Sequence, residues 1–195
     1  LLEAMRPDLP LLERFNYLGI YSNNLDEFFR VRVASLRRLI DSAEELPSAE
    51  RKKAKETLRT ILRLNREYSQ LFDETFAQLV RELKDAHIHI INERELTSSQ
   101  EEEVLSFFMD KINGFTNPIF INSPTFNPEQ HLKESLYLAV VLWHDQEEPE
   151  TGHEVALLEV PVRELGRFFR LRDKDGESYL MFLDDVIRYC LPYIF

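Results

Sequence analysis

The sequence predicts an α+β protein: an N-terminal antiparallel helical bundle over residues 1–88, followed by a smaller mixed α+β unit over 89–195. Three observations carry this. Residues 48 to 112 contain neither Gly nor Pro, and the apolar residues up to about 85 recur at helical spacing. Past residue 113 the pattern changes to short β-branched and aromatic runs separated by turn residues. The formal net charge of -11 is also uneven, with 15 Lys+Arg against 15 Asp+Glu in residues 1–86 and 9 against 20 in 87–195.

In the first unit, Leu11, Leu12, Phe15 and Leu18 mark a helix opened by Pro10, with Gly19 as its stop. A second helix is expected from Leu25 to about Glu45, with Phe28, Phe29, Val33, Leu36, Ile40 and Ala43 as its apolar line. Pro47 and Ser48 punctuate, and Ser48 is expected to cap a third helix from Ala49 to Asp85. Its stripe is Ala54, Leu58, Ile61/Leu62, Tyr68, Phe72, Phe76, Leu79/Val80 and Leu83. A helix of that length spans roughly 55 Å and needs partners along its whole apolar side, hence the bundle.

The second unit opens with a short strand, "HIHII" (87–91). "SSQEEEVLSFFMDKI" (98–112) reads as a helix with a Ser cap and acids in its first turn, where the helix dipole favours them. Strands follow at "PIFI" (118–121), "SLYLAVVLWH" (135–144), "HEVALLEVPV" (153–162) and "RFFRLRD" (167–173). The acidic connector "DQEEPETG" suggests that the middle two form a hairpin, and "FLDDVIRYCLPYIF" closes as a helix with Asp184 or Asp185 near its start. Helix and strand mix without strict alternation, which is the mark of an α+β unit.

Composition narrows the function classes. No apolar run is long enough to span a membrane, and the start has no basic-then-apolar secretory signal. One cysteine, Cys190, excludes an internal disulfide and reads as a small core residue in a reducing, cytoplasmic setting. The five glycines form no phosphate-binding loop, and no Ser or Cys sits in a nucleophile elbow. His87 and His89 alternate and would share a strand face. Such a pair can begin a metal site, but with no third ligand nearby it reads as two exposed histidines. Asp184 and Asp185 read as helix-start carboxylates. Arg51, Lys52, Lys53, Lys55, Arg59, Arg63 and Arg66 form a basic stripe against the single acid Glu56, with Arg30, Arg32, Arg37 and Arg38 as a second cluster. Such a stripe can meet a polyanion or simply be a solvated helix face. No aromatics interleave the cations, which argues against a nucleic-acid groove.

The stretch "YSNNLDEFF" (21–29) offers three small polar side chains where a helix start needs one. Asn24 at the N-cap would place Glu27 three residues on, as in a capping box; Ser22 or Asn23 could cap instead and leave Asn24 free. The wider run "PLLERFNYLGIYSNNLDEFFRVRVASLRR" (10–38) resembles the opening of the bacterial type-1 polyphosphate kinases, P-L-x-E-R-x-x-[FY]-L-x-I-x-S-x-N-L-D-E-F-[FY]-x-V-R. "INERELTSSQ" (91–100), "ALLEVP" (156–161) and "FLDDVIRYCLPYIF" (182–195) are similar to later blocks of that family, so the resemblance covers nearly the whole chain.

The resemblance implies a longer enzyme with an N-terminal helical domain, a head domain that dimerises, and two catalytic domains. That enzyme moves the terminal phosphate of ATP reversibly onto polyphosphate through a phosphohistidine. Its partners would be ATP/ADP, inorganic polyphosphate and further copies of itself, as a homodimer or higher homo-oligomer, in the cytoplasm or peripheral to the inner membrane. On this reading the chain is an N-terminal fragment. It lacks the family's opening R-E-L-S-W-L-x-F-N-x-R-V, stops inside the head domain, and leaves Mg and the catalytic histidines to the missing half. None of His87, His89, His131, His144 or His153 matches a catalytic context, and no catalytic or metal residue is assigned here. The one family role that maps onto this chain is the adenine contact of ATP, which falls on Asn24. A carboxamide's paired donor and acceptor suit the adenine edge. The alternative is a structural oligomerisation module without a ligand.

Overall fold

A computed structural model describes residues 1–41, 47–133, 135–143 and 153–195. The chain divides into two compact units, Leu1–Ala86 and His87–Phe195.

The first unit is an antiparallel pair of long helical arms. One arm runs without a break through α1 (Leu11–Glu27), a π-helical stretch (Phe28–Val33) and α2 (Ala34–Asp41); the other is α3 (Ser48–Asp85), 38 residues long. Side chains from residue 14 onward on the first arm meet progressively earlier residues of the second. Arg14 pairs with Glu82, Phe15 packs edge-on to Phe76 at 6.1 Å, and Tyr21 stacks on Phe72 at 5.9 Å. Near the chain start, Ala4, Leu18 and Leu79 are buried beneath Leu1, Leu11, Phe15, Tyr17, Phe72 and Phe76. Farther along, Val33, Ile40 and Ala54 continue the buried seam.

Two local expectations fail here. Gly19 does not end a helix, and no new helix begins near Leu25. Glu27 and Ala34, which flank the π stretch, both keep right-handed helical dihedrals. A glycine inside a helix costs about 1 kcal/mol relative to alanine. The packing of Leu18 and Tyr21 on α3 on either side of it outweighs that, as tertiary context commonly does. α3 starts one residue early, with Pro47 at its N-cap and Ser48 already helical. Ala43 and Glu45, expected at the end of the second helix, lie outside the described residues.

Leu12, expected on the apolar line, is 67% exposed, and the inward position goes to Arg14 instead. The Arg14 guanidinium donates from Nε to the carbonyl of Ala4 at 2.9 Å and from Nη1 to Glu82 at 2.5 Å. It thus ties a short 3₁₀ turn, Glu3–Met5, onto both arms.

The second unit holds two three-stranded sheets. In one, β1 (Ile88–Ile91) runs parallel to β6 (Ser178–Phe182), which pairs antiparallel with β5 (Phe168–Arg170). In the other, β4 (His153–Val160) lies between β2 (Ile119–Phe120) and β3 (Leu136–Trp143), antiparallel to both. The β3–β4 register, Leu136 opposite Val160 to Trp143 opposite His153, is that of the expected hairpin. Its connector "DQEEPETG" lies outside the described residues.

α4 (Ser98–Phe107) continues into a second π stretch, Phe108–Ile112. Thr97, not Ser98, is its N-cap, and the Thr97 backbone N–H donates to Gln100 Oε1 at 2.9 Å. Short helices α5 (Pro128–His131) and α6 (Val162–Leu165), together with β6, were not anticipated. α7 (Leu183–Tyr189) and a 3₁₀ turn, Leu191–Tyr193, close the chain. Val104, Phe108 and Ile112 meet Leu158, Val160, Met181, Leu183, Val186, Ile187 and Cys190 in one core. Burial pushes the Cys190 thiol up to about 12, as suits an inert core residue.

Removing the Arg14 guanidinium leaves the Ala4 carbonyl without its side-chain donor and the half-buried Glu82 with only the Gln78 amide, at 3.0 Å. Arg14→Ala should therefore destabilise the first unit by about 2 to 3 kcal/mol. Urea unfolding followed by helix content checks this; a loss below about 0.5 kcal/mol, typical of an exposed pair, would contradict the anchoring role.

Candidate functional site

Because the first arm is unbroken, Ser22, Asn23 and Asn24 lie inside α1 and cap nothing. All three are exposed. The capping-box reading of Asn24 with Glu27 is overturned, since a helix interior has no free backbone N–H for either side chain to satisfy. The surplus amides are outward-facing groups on a rigid helix.

Asn24 lies on the rim of a shallow depression of about 270 Å³ whose other walls are Glu27, Phe28, Val31 and Arg32. The spacing explains the set. Residues 24, 27, 28 and 31 share one helical face. Residue 32 completes the i, i+3, i+4, i+7, i+8 spacing of that face, and the π stretch widens the turn that carries it. The widening shows in the backbone: Ala34 N–H bonds to the carbonyl of Phe29, five residues back. The side chains of Asn24, Glu27 and Arg32 have no hydrogen-bond or ion-pair partner among the described residues. The face therefore offers a carboxamide, a carboxylate, an aromatic ring and a guanidinium, all held by backbone that packing on α3 keeps in place.

Around the helix from this depression lies a separate apolar groove of about 170 Å³, lined by Tyr21, Leu25, Phe28, Phe29, Ile61, Leu64, Asn65 and Tyr68. Burial, with Tyr68 next to it, raises the Tyr21 hydroxyl above its ordinary value. In the basic stripe, Arg51 is half-buried and the other cations are exposed; Arg63 pairs with Glu67 at 2.7 Å.

In the second unit, His87 and His89 converge on one residue that sequence spacing could not reveal. Glu177 accepts from His87 Nδ1 at 2.8 Å and from His89 Nε2 at 2.5 Å. His87 precedes β1 and adopts a left-handed backbone, φ 62°; His89 is part-buried and stacks on Tyr179 at 5.0 Å. They are not a pair of exposed strand histidines. Among the described residues no group of three or more His, Cys, Asp or Glu is placed to hold a metal ion. Asp184 and Asp185 do lie in the first turn of α7, and each also has a cation: Arg167 sits 2.7 Å from Asp184, and Arg188 bridges Asp185 and Glu93. Burial and then the neighbouring Asp184 hold the Asp185 carboxyl above its ordinary value. His131 Nδ1 lies 2.8 Å from the Asn127 carbonyl, His153 tilts against Trp143, and His144 lies outside the described residues.

Known proteins match the chain along almost its whole length. The family model of the polyphosphate kinase N-terminal domain matches residues 1–91, and that of the polyphosphate kinase middle domain matches residues 99–195. Polyphosphate kinase of Vibrio parahaemolyticus serotype O3:K6 is 33% identical over an alignment covering 99% of this chain and 27% of that protein. The enzyme of Escherichia coli K12 is 35% identical over the same shares. The crystal structure of polyphosphate kinase from Porphyromonas gingivalis matches with a TM-score of 0.81 at 26% identity, covering 100% of this chain and 28% of that one. The chain belongs to the polyphosphate kinase family, and it spans 27% of the length of these curated relatives.

The histidine–glutamate cluster generates a pH prediction. Hydrogen bonds from His89 first, then from His87, hold the Glu177 carboxyl below its ordinary value. A carboxyl lowered on folding adds stability that is present above its unfolded pKa and is lost as pH falls through the folded one. Melting temperature should therefore drop on acidification below the usual carboxylate range, and Glu177→Gln should flatten that drop. Parallel pH slopes in the two proteins would refute the linkage.

Proposed function

We propose that this chain supplies adenine recognition to a polyphosphate kinase catalysing ATP + polyphosphate(n) = ADP + polyphosphate(n+1). Its phosphohistidine and Mg²⁺ sites are carried by residues outside these 195. The observation that carries the reading is Asn24: an exposed carboxamide, without a partner among the described residues, fixed on a continuous helix beside a depression. Its donor and acceptor match the donor and acceptor along the adenine edge. Phe28 and Val31 offer apolar surface to a base lying in the depression. A group on a packed helix is pre-oriented, so little ordering is needed on binding.

The second unit's share of the work is self-association, as homodimer or higher homo-oligomer. Trp143 is 60% exposed, Val141 47%, Tyr193 54% and Phe195 42%. Apolar surface of this kind is commonly covered by a partner. No helix of the described residues is long and apolar enough to cross a membrane. The working compartment proposed is the cytoplasm, with attachment at the inner membrane surface as the variant of that proposal.

In the full-length kinase carrying these residues, Asn24→Ala should weaken ATP use by about 1 to 2 kcal/mol, roughly a five- to thirtyfold rise in KM. kcat should change less, because the base is remote from the transferred phosphate. Preference for ATP over GTP should shrink. Since Asn24 is mid-helix, the change to Ala should leave the melting temperature level or slightly higher. An unchanged nucleotide preference would reject the adenine role and leave a purely structural module.

The 195-residue chain by itself should form neither polymer nor acid-labile phosphoprotein from labelled ATP and magnesium, since the covalent carrier of the two-step transfer is absent. Either product, from protein free of host enzyme, would show that the chemistry resides here. Light scattering of the same preparation should give a mass above the 23.2 kDa of one chain. A monomer throughout the micromolar range would count against self-association.

A further inference from the structure

We propose that Arg32 contacts the phosphates of the nucleotide whose base Asn24 reads, so that one face of the first arm meets both ends of the nucleotide. The inference rests on the adenine reading and adds the direction in which the nucleotide lies. Arg32 lines the same depression as Asn24, is exposed, and has no ion-pair partner among the described residues. A guanidinium with no carboxylate of its own, beside a depression, suits an anion with several oxygens.

Eight residues separate the two side chains, at most about 12 Å along the helix axis. That is a span a nucleotide bridges from base edge to phosphates once the arginine side chain reaches back. The two stand eight residues apart in an unbroken helix, the spacing of one helical face, with the widened turn between them. Glu27 fixes the polarity. It lies between the two, one turn from Asn24, and its carboxylate repels phosphate from the Asn24 end while it can accept hydrogen bonds from ribose hydroxyls. Base toward Asn24 and phosphates toward Arg32 is the orientation that puts the anion on the guanidinium and away from the carboxylate.

The test compares adenosine, ADP and ATP as ligands of the full-length kinase carrying these residues, in the parent, Arg32→Gln and Asn24→Ala proteins. Arg32→Gln should weaken ADP and ATP roughly tenfold and leave adenosine unchanged, as expected for loss of a charge-assisted contact. Arg32→Lys, which keeps the charge and loses the fork, should fall between and guards against a folding defect in the glutamine variant. Asn24→Ala should weaken all three ligands alike. Equal weakening of adenosine and ATP by Arg32→Gln, or no change in either, overturns the phosphate role while leaving the adenine role to its own arm. If Asn24→Ala changes nothing and Arg32→Gln still spares only adenosine, the phosphate role stands and the adenine reading fails.

Discussion

The first unit depends on one constraint: two arms with apolar seams must mate along their whole length. α3 has no break from Ser48 to Asp85, so the arm opposite cannot break either without exposing the seam between them. That requirement carries the first arm straight through Gly19 and through three polar residues in a row. It brings Arg14 inside, where its charge is met by Glu82 and by the Ala4 carbonyl. It also decides the fate of Ser22, Asn23 and Asn24. Had the chain turned at Gly19, these side chains would have been consumed by backbone groups at a helix start; held in mid-helix, they are available.

Legibility from sequence followed the range of the forces involved. α3 was plain because its signal is local and repeated: a 3.6-residue apolar period with nothing to interrupt it. β3 and β4 were plain because each is a β-branched and apolar run and an acidic, turn-rich connector joins them; Ala156, Leu158 and Val160 are buried on one face of β4. β6 was missed because "SYLMF" runs directly into "FLDD", so strand and helix share one apolar stretch with no turn between them. Caps were misplaced for the opposite reason. "SNNLDE" and "SSQ" carry good local capping chemistry, but the choice of where a helix starts was made by packing in the first case and by the adjacent Thr97 in the second.

The candidate residues divide in the same way. Asn24 was found through the family motif around it, while its surroundings needed coordinates. Residues 24, 27, 28, 31 and 32 carry the spacing of one helix face, but nothing in composition says that the face bears a depression. Glu177 was invisible for a topological reason: the parallel pairing of β1 with β6 brings it beside His87 and His89 from the far side of a whole sheet. Burial of Arg14 among leucines is likewise a consequence of which partner the opposite arm supplies, not of Arg14's own neighbours.

The π stretch has a consequence for how this arm tolerates changes in length. A residue inserted into an α-helix rotates everything beyond it by about 100°. A widened turn stores such an insertion locally, so that α1 and α2 both keep their seams on α3 although the residue count between them is that of no regular helix. Val33 and Ile40 stay buried beyond the widened turn just as Leu18 does before it. The arm thus works as a shaft with a coupling in it, whose two ends are phased independently against the same partner. Loss of one residue within the coupling would restore regular pitch and leave both seams intact.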